Sequence, residues 1–396
     1  MYEEEYGNKM NSFKFIDLFS GIGGFHQAME LLGGECVFAS EIDEECNKVY
    51  EANYGMSSDI NVRDASVENI PKHDVLCAGF PCQAFSKAGK QMGLKDQTRG
   101  TLFFEIVRIL EHHKTPYIIL ENVRNLVSHD HGKTWSIIQK NLRELGYRTT
   151  AEPLIISPHQ FGIPHLRERV IILGKYDPEN IDIPLDISFD NLKKKDECSI
   201  YDIVDSCEVD KSYYINEYEE YVLTAWDEFY KGVKEKVIGF PIWSFEFKTN
   251  YSLDGIPAWK AEFIQKNRNL YLNNKEFIDE WLKKYDDLEK FSPTHQKMEW
   301  QAGEKISSLW DGVIQFRPSG IRVKVPTCFP ALVAMVQIPI IGRYRRRLTV
   351  EEAALLQSFP ATFKPSDNRQ QAYKEFGNGV NVEVIKQCAI KLFETK

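Results

Sequence analysis

The chain has 396 residues, 43% hydrophobic and 27% charged, the balance of a soluble globular protein of about two or three domains at ~100–200 residues each. Disorder and fibrous structure are excluded, no apolar run approaches the ~20 residues that span a bilayer, and the acidic start MYEEEYGNKM is unlike a signal peptide, so a cytoplasmic location is expected. Eight cysteines without a C-x-x-C pair encode neither a zinc ribbon nor a disulfide framework, and the net charge of −9 is partitioned: residues 178–300 hold 16 Lys+Arg against 26 Asp+Glu, whereas 311–347 hold seven Lys+Arg against Asp311 alone.

In chain order, FKFIDLF reads as a strand, FHQAMELLG as a helix, CVFASEID and DVLCAGF as strands, LFFEIVRILEHH as a helix, YIILENV as a strand, KTWSIIQKNLRELG as a helix and VIILG as a strand. Short apolar runs alternating with amphipathic stretches predict an α/β domain, a doubly wound, mainly parallel sheet with helices on both faces. From about 178 the chain turns acidic, rich in Tyr and Trp and irregular, with a helix in YYINEYEEYVLTAWDEFY. We therefore expect a first domain over 1–177, a second, smaller one over 178–345, and a return segment over 346–396. That segment contains a helix, LTVEEAALLQSF, opened by a Thr cap and stopped by Pro360, and a last helix, VNVEVIKQCAIKLFE, packing back on the first domain.

Ligands of such sheets sit at the carboxyl ends of the strands, so the polar residues after DLF, ASE, CAGF and ILE are the places to search. In DLFSGIGGF, Gly21, Gly23 and Gly24 let backbone amides approach a ligand at a helix start, and Glu41, about 20 residues on, suits a ribose diol; together they suggest a nucleotide-like cofactor, although GxGG departs from GxGxxG. Cys82 follows Pro81 beyond a buried strand, in a Gly/Lys/Ser-rich segment where a thiolate is accessible as a nucleophile; the other seven cysteines read as inert packing residues. Glu121 and Asn122 stand at the tip of the next strand, and Arg167 and Arg169 project to one side of an extended segment. His129 and His131, flanking Asp130, read as a polar loop, and no metal is expected.

These segments, in this order, resemble the cytosine-5 DNA methyltransferases. DLFSGIGGF is similar to the family's cofactor motif, GFPCQAFS to its nucleophile motif, RGTLFFEI to a further cofactor-pocket helix, ENV to its third active-site motif and QFGIPHLRERV to its two-arginine motif. RRLTVEEAALLQSFP resembles the motif bordering the target-recognition domain and FGNGV the returning C-terminal motif, so the match covers about 1–175 and 346–396.

The resemblance implies an S-adenosylmethionine-dependent methyltransferase fold whose middle domain recognises the target. It implies Cys82 as nucleophile, Glu121 holding the base and sharing a proton, and Asn122, Arg167 and Arg169 steadying the pocket. It places S-adenosyl-L-methionine against Phe19, Gly21, Gly23, Gly24, Glu41, Pro81, Asn378 and Val380. Two positions depart from the pattern: Ile42 stands in place of a Trp, and Asn61 in place of an Asp that contacts the adenine amino group, with Asp59 and Asp64 near enough to substitute. The partner implied is double-stranded DNA, touched by Gln83, Ser86, Lys90 and Arg99 near the nucleophile and by Arg317, Arg322, Lys324 and Arg345 in the basic stretch, with the acidic 178–300 region facing away. A monomer without membrane or obligatory protein partner is expected. A tRNA cytosine-5 methyltransferase, disfavoured by the large middle domain, and a catalytically idle DNA-binding remnant are the alternatives.

Overall fold

The computed structural model describes residues 12–81, 102–235, 238–332 and 337–395. Cys82, Gln83, Ser86, Lys90 and Arg99 lie outside the described residues.

The expected alternation is present. Strands β1 (Phe13–Leu18), β2 (Gly34–Ser40), β3 (Val75–Gly79) and β4 (Tyr117–Val123) form a parallel array in the order β2-β1-β3-β4. Strand β7 (Arg169–Tyr176) adds antiparallel to β4, and β5 (Tyr147–Thr149) and β6 (Leu154–Ile156) pair antiparallel with β7. Helices α1 (Gly24–Glu30), α2 (Glu44–Tyr54), α3 (Phe103–His113) and α4 (Lys133–Glu144) fill the crossovers. The central strands are buried almost along their whole length, as both-face coverage by helices requires, which is why VLCAG and YIILE carry apolar runs without alternation. The register pairs Gly79 with Glu121 and Val123 with Arg169. Because β7 runs against β4, its first residues lie at the sheet edge where the parallel strands end.

The chain divides into two units. The first takes the sequence up to Cys198, a short segment containing Leu332, and Ala353 onward; the second takes Ser199–Pro330 and the stretch ending at Glu352. Both boundaries therefore fall later than the expected 177/178 and 345/346. Residues 178–198 strap onto the first unit: Leu185 N–H donates to the Thr149 carbonyl, Lys193 N–H to that of Gln160, and the Cys198 thiol to that of His159. At the far end Arg346 and Arg347 pair as a strand with Ile341 and Ile340 of the second unit.

The second unit contains helices α5 (Glu217–Gly232), α6 (Ala258–Asn273) and α7 (Lys275–Lys284). Its six-stranded sheet joins β8 (Ile242–Trp243), β9 (Lys297–Trp300), β10 (Val313–Arg317), β11 (Gly320–Lys324), β12 (Ile340–Ile341) and β13 (Arg346–Arg347) in the order β13-β12-β10-β11-β9-β8. The Tyr- and Trp-rich composition makes this unit's core. Trp226 and Trp281 pack with their rings tilted by 49°, their ring N–H groups donate to the His295 and Ala225 carbonyls at 2.8 Å, and Tyr230 stacks on Trp300 at 3.5 Å.

Helix α8 (Val350–Leu356) opens on the predicted Thr cap: Thr349 Oγ1 accepts from Glu352 N–H at 3.1 Å and Glu352 answers by accepting from Thr349 N–H at 2.8 Å. It ends before Pro360 is reached, because Ser358 adopts a left-handed φ of 62°. Helices α9 (Arg369–Asn378), which had no clear sequence signal, and α10 (Val382–Phe393) complete the first unit, α10 lying against α1.

Candidate active site

The first unit brings its motif residues to one edge of the sheet. After β1 the chain turns through Phe19 and Gly21, both at positive φ, and enters α1 behind Gly23, whose carbonyl accepts from the Tyr54 hydroxyl at 2.9 Å. Gly21 has φ 53° and nothing within 4 Å of where a Cβ would stand, so the turn presents bare backbone to open space. At the end of β2 the Glu41 carboxylate accepts from Gly21 N–H at 2.9 Å, Ile42 N–H at 2.6 Å and Asp43 N–H at 2.9 Å, which ties the two strand ends together. With about four lone-pair sites on a carboxylate, one remains for a ligand hydroxyl. A glycine-lined turn ending on an acid is the donor set that a ribose-bearing cofactor needs, and the residues present fit one.

Two sequence readings are sharpened. Asn61 is exposed and its Oδ1 accepts from Arg63 N–H, whereas the backbone of Asp59 pairs with that of Glu41 in a parallel bridge, which sets Asp59 beside Glu41. Ile42 is 71% exposed, an apolar side chain held out at the same edge.

Glu121 and Asn122 end β4, both buried. Asn122 is used internally: its Nδ2 donates to the Phe80 carbonyl at 2.7 Å and its Oδ1 accepts from Val123 N–H at 2.8 Å. It thereby fixes the chain just before Pro81, which leads to Cys82. Arg169 Nε lies 2.9 Å from Glu121 Oε1, both side chains at most one-fifth exposed. Burial raises the Glu121 carboxyl above its ordinary range, and Arg169 and then Arg167 oppose that rise. The pair lines a narrow cleft with Arg167, Ile171 and Val380.

Arg167 goes elsewhere. Fully buried, it donates from Nη1 to the Gly377 carbonyl at 2.8 Å and from Nη2 to the Gly379 carbonyl at 2.7 Å, the residues flanking exposed Asn378 in FGNGV. Burial, with Arg169 adding to it, lowers its pKa to about 9, so it stays charged at neutral pH. The FGNGV turn in turn reaches the glycine loop: a Cβ on Gly24 would come within 2.7 Å of Val380. The residue that the sequence did not single out is Gln357. Gln357 lies inside RRLTVEEAALLQSFP and donates to the Phe376 and Gly379 carbonyls.

In the second unit, Arg317, Arg322 and Lys324 share one face of the sheet, since Gln315 pairs with Arg322, and residues two apart point the same way. The separation of charge seen along the sequence does not persist in space. Arg322 is 2.7 Å from Glu299, Arg345 pairs with Glu220, Arg347 with Glu219, and buried Arg346 is gripped by Glu352 at 2.7 and 2.8 Å. Part of the acidic 178–300 region thus faces the basic stretch. Arg317 keeps one buried guanidinium nitrogen, Nη1, without a hydrogen-bond partner. His129 is engaged with Thr134 at 2.7 Å, and among the described residues no three His, Cys, Asp or Glu side chains converge as metal ligands. Among those residues no helix is long and apolar enough to cross a membrane.

The fold is that of a methyltransferase: the solved structure of the Entamoeba histolytica methyltransferase EhMeth superposes with a TM-score of 0.54 at 18% identity, covering 97% of this chain and 99% of that one. Residues 13–394 match the model of the C-5 cytosine-specific DNA methylases, and the chain belongs to that family. The type II methyltransferase M.AluI of Cellulosimicrobium cellulans is 33% identical over 94% of this chain and 90% of its own length. Type II methyltransferase M.HhaI of Haemophilus parahaemolyticus is 28% identical over 97% and 95%.

Proposed function

We propose that this chain is the modification enzyme of a type II restriction–modification system, working as a monomer in the cytoplasm, and that it methylates C5 of a cytosine flipped from a specific duplex DNA sequence. C5 is a poor nucleophile and is hidden in a stacked duplex, so the base must leave the helix, at a cost of a few kcal/mol, and be activated. In this reading the Cys82 thiolate adds to C6 while Glu121 gives a proton to N3, which makes C5 enamine-like. S-adenosyl-L-methionine, held at Phe19, Gly21, Glu41, Asp59 and Val380, supplies an electrophilic methyl group when bound. A water molecule then removes the C5 proton, the C6–S bond breaks to return the thiolate, and N3 returns its proton to Glu121. Asn122 holds the approach to Cys82, and Arg169 orients Glu121. Gln83, Ser86, Lys90 and Arg99 are assigned to DNA beside the nucleophile, and Arg317, Arg322, Lys324 and Arg345 to DNA from the second unit.

The observation that supports this best is the pair of buried Glu121 with Arg169, one strand across from the end of β3 that leads to Cys82. The test is methyl transfer and covalent trapping on duplex DNA containing 5-fluorocytosine, with bisulfite sequencing of plasmid from expressing cells. Cys82→Ser is expected to abolish both transfer and adduct. Full activity in that variant, or labelling of tRNA alone in a parallel assay, overturns the reading.

A further inference from the structure

The two arginines of LRERV are equivalent in sequence pattern but not in space. Arg169 ends on the carboxylate of Glu121, whereas Arg167 is anchored by its backbone N–H on Ser157 Oγ at 3.0 Å and sends its guanidinium to the carbonyls on either side of Asn378. Two parallel N–H groups of one rigid plane meeting two carbonyls fix both the position and the tilt of that turn, which a single point charge cannot do. Gln357, fully buried, holds the same turn from a second direction. Its Nε2 reaches the Gly379 carbonyl at 3.2 Å and also the Phe376 carbonyl, and its main-chain carbonyl accepts from Val382 N–H at 3.0 Å. The turn so held presses Val380 against Gly24, and a Cβ on Gly379 would lie 3.8 Å from Ile22. A shift of this turn therefore moves one wall of the glycine loop.

We propose that Arg167 and Gln357 are positioning residues for the cofactor, acting through the FGNGV turn, while Arg169 serves the base through Glu121. This rests on the reading above, in which the glycine loop and FGNGV border S-adenosyl-L-methionine.

The test uses the full chain and S-adenosylhomocysteine as probe, its affinity measured by titration calorimetry, alongside kcat at saturating cofactor and adduct formation on 5-fluorocytosine DNA. Arg167→Lys keeps the charge and loses the fork; affinity for the probe is expected to fall about tenfold, with a smaller loss in kcat. Gln357→Met is expected to give the same split at a few-fold, and because its Oε1 has no partner it removes only the amide donor, so it decides the matter if the arginine variant does not fold. Arg169→Lys is expected to show the reverse, losing kcat and adduct more than probe affinity. Unchanged probe affinity in both cofactor-side variants, or a loss of kcat exceeding the loss of affinity, overturns the assignment. If the unaltered chain fails to bind the probe at all, it is the functional reading itself that falls.

Discussion

In the first unit, buried Arg167 and partly buried Arg169 stand at the edge where the strands end, and their partners are two turn carbonyls and the Glu121 carboxylate. In the second unit, Arg322, Arg345, Arg346 and Arg347 come from the basic stretch of the sequence, and their partners are carboxylates of the same unit. The same side chain thus meets groups at the proposed reaction edge in one region and carboxylates of its own unit in the other. What separates them is the partner: a group at the strand-end edge, or a carboxylate of the same unit. Substitutions at Glu121 in the first unit should therefore appear in turnover, and those at buried Arg346 in the second in stability.

The largest expected effect is at Glu121. Glu121→Gln keeps the shape but loses the exchangeable proton, and kcat is expected to fall about 10²–10⁴-fold with little change in unfolding midpoint. The raised carboxyl gives a sign to the pH profile. In the proposed role the protonated form is the donor, so activity attributable to it is present at low pH and is lost as pH rises through the raised pKa; the variant is expected to lack that alkaline limb. A full alkaline limb in Glu121→Gln would assign it to another group and detach the Glu121–Arg169 pair from proton transfer.

Next comes Arg346. It is 1% exposed and donates to both oxygens of Glu352 and, at 2.8 Å, to the Asp205 carbonyl. Arg346→Met leaves Glu352 buried with an uncompensated charge, for a loss of about 3 kcal/mol in urea unfolding. Affinity for S-adenosylhomocysteine is expected to stay within a factor of about two, well under the ~1.4 kcal/mol that a tenfold change represents. A loss in binding as large as the loss in stability would erase the contrast between the two units.

These partners explain what was legible in the sequence. The parallel strands announced themselves because VLCAG and YIILE are covered on both faces, and the strand-end rule then led to Gly21, Glu41, Glu121 and Asn122. The arginine pattern placed Arg167 and Arg169 on one side but could not give their partners, which depend on the antiparallel register of β7 against β4 and on a turn more than 200 residues away. Gln357 was silent for the same reason, its partners being carbonyls. The second unit was hardest to read: several of its strands are only two residues long, and its surface charges are neutralised by residues distant in sequence. The Tyr- and Trp-rich stretch gave its helix α5 by periodicity but not the aromatic core it builds with α7 and β9.

The smallest expected effect, and the one that bears most on DNA, is at Arg345. Its pair with Glu220 is about half exposed on both sides, so Arg345→Gln is expected to cost no more than ~0.5 kcal/mol of stability. A role in DNA binding requires the guanidinium to leave Glu220 for a phosphate, and each phosphate neutralised on B-DNA contributes about −0.9 to the slope of log K against log salt. If Arg345 makes such a contact, binding of Arg345→Gln to duplexes of any sequence should weaken uniformly and the slope should become shallower by about one. Glu220→Gln frees the same arginine and should act in the opposite sense, tightening binding without altering the slope. An Arg345→Gln slope equal to that of the unaltered chain would leave Arg345 as a cohesive residue alongside Arg346, and would move the search for phosphate contacts to Arg317 and the sheet face it shares with Arg322.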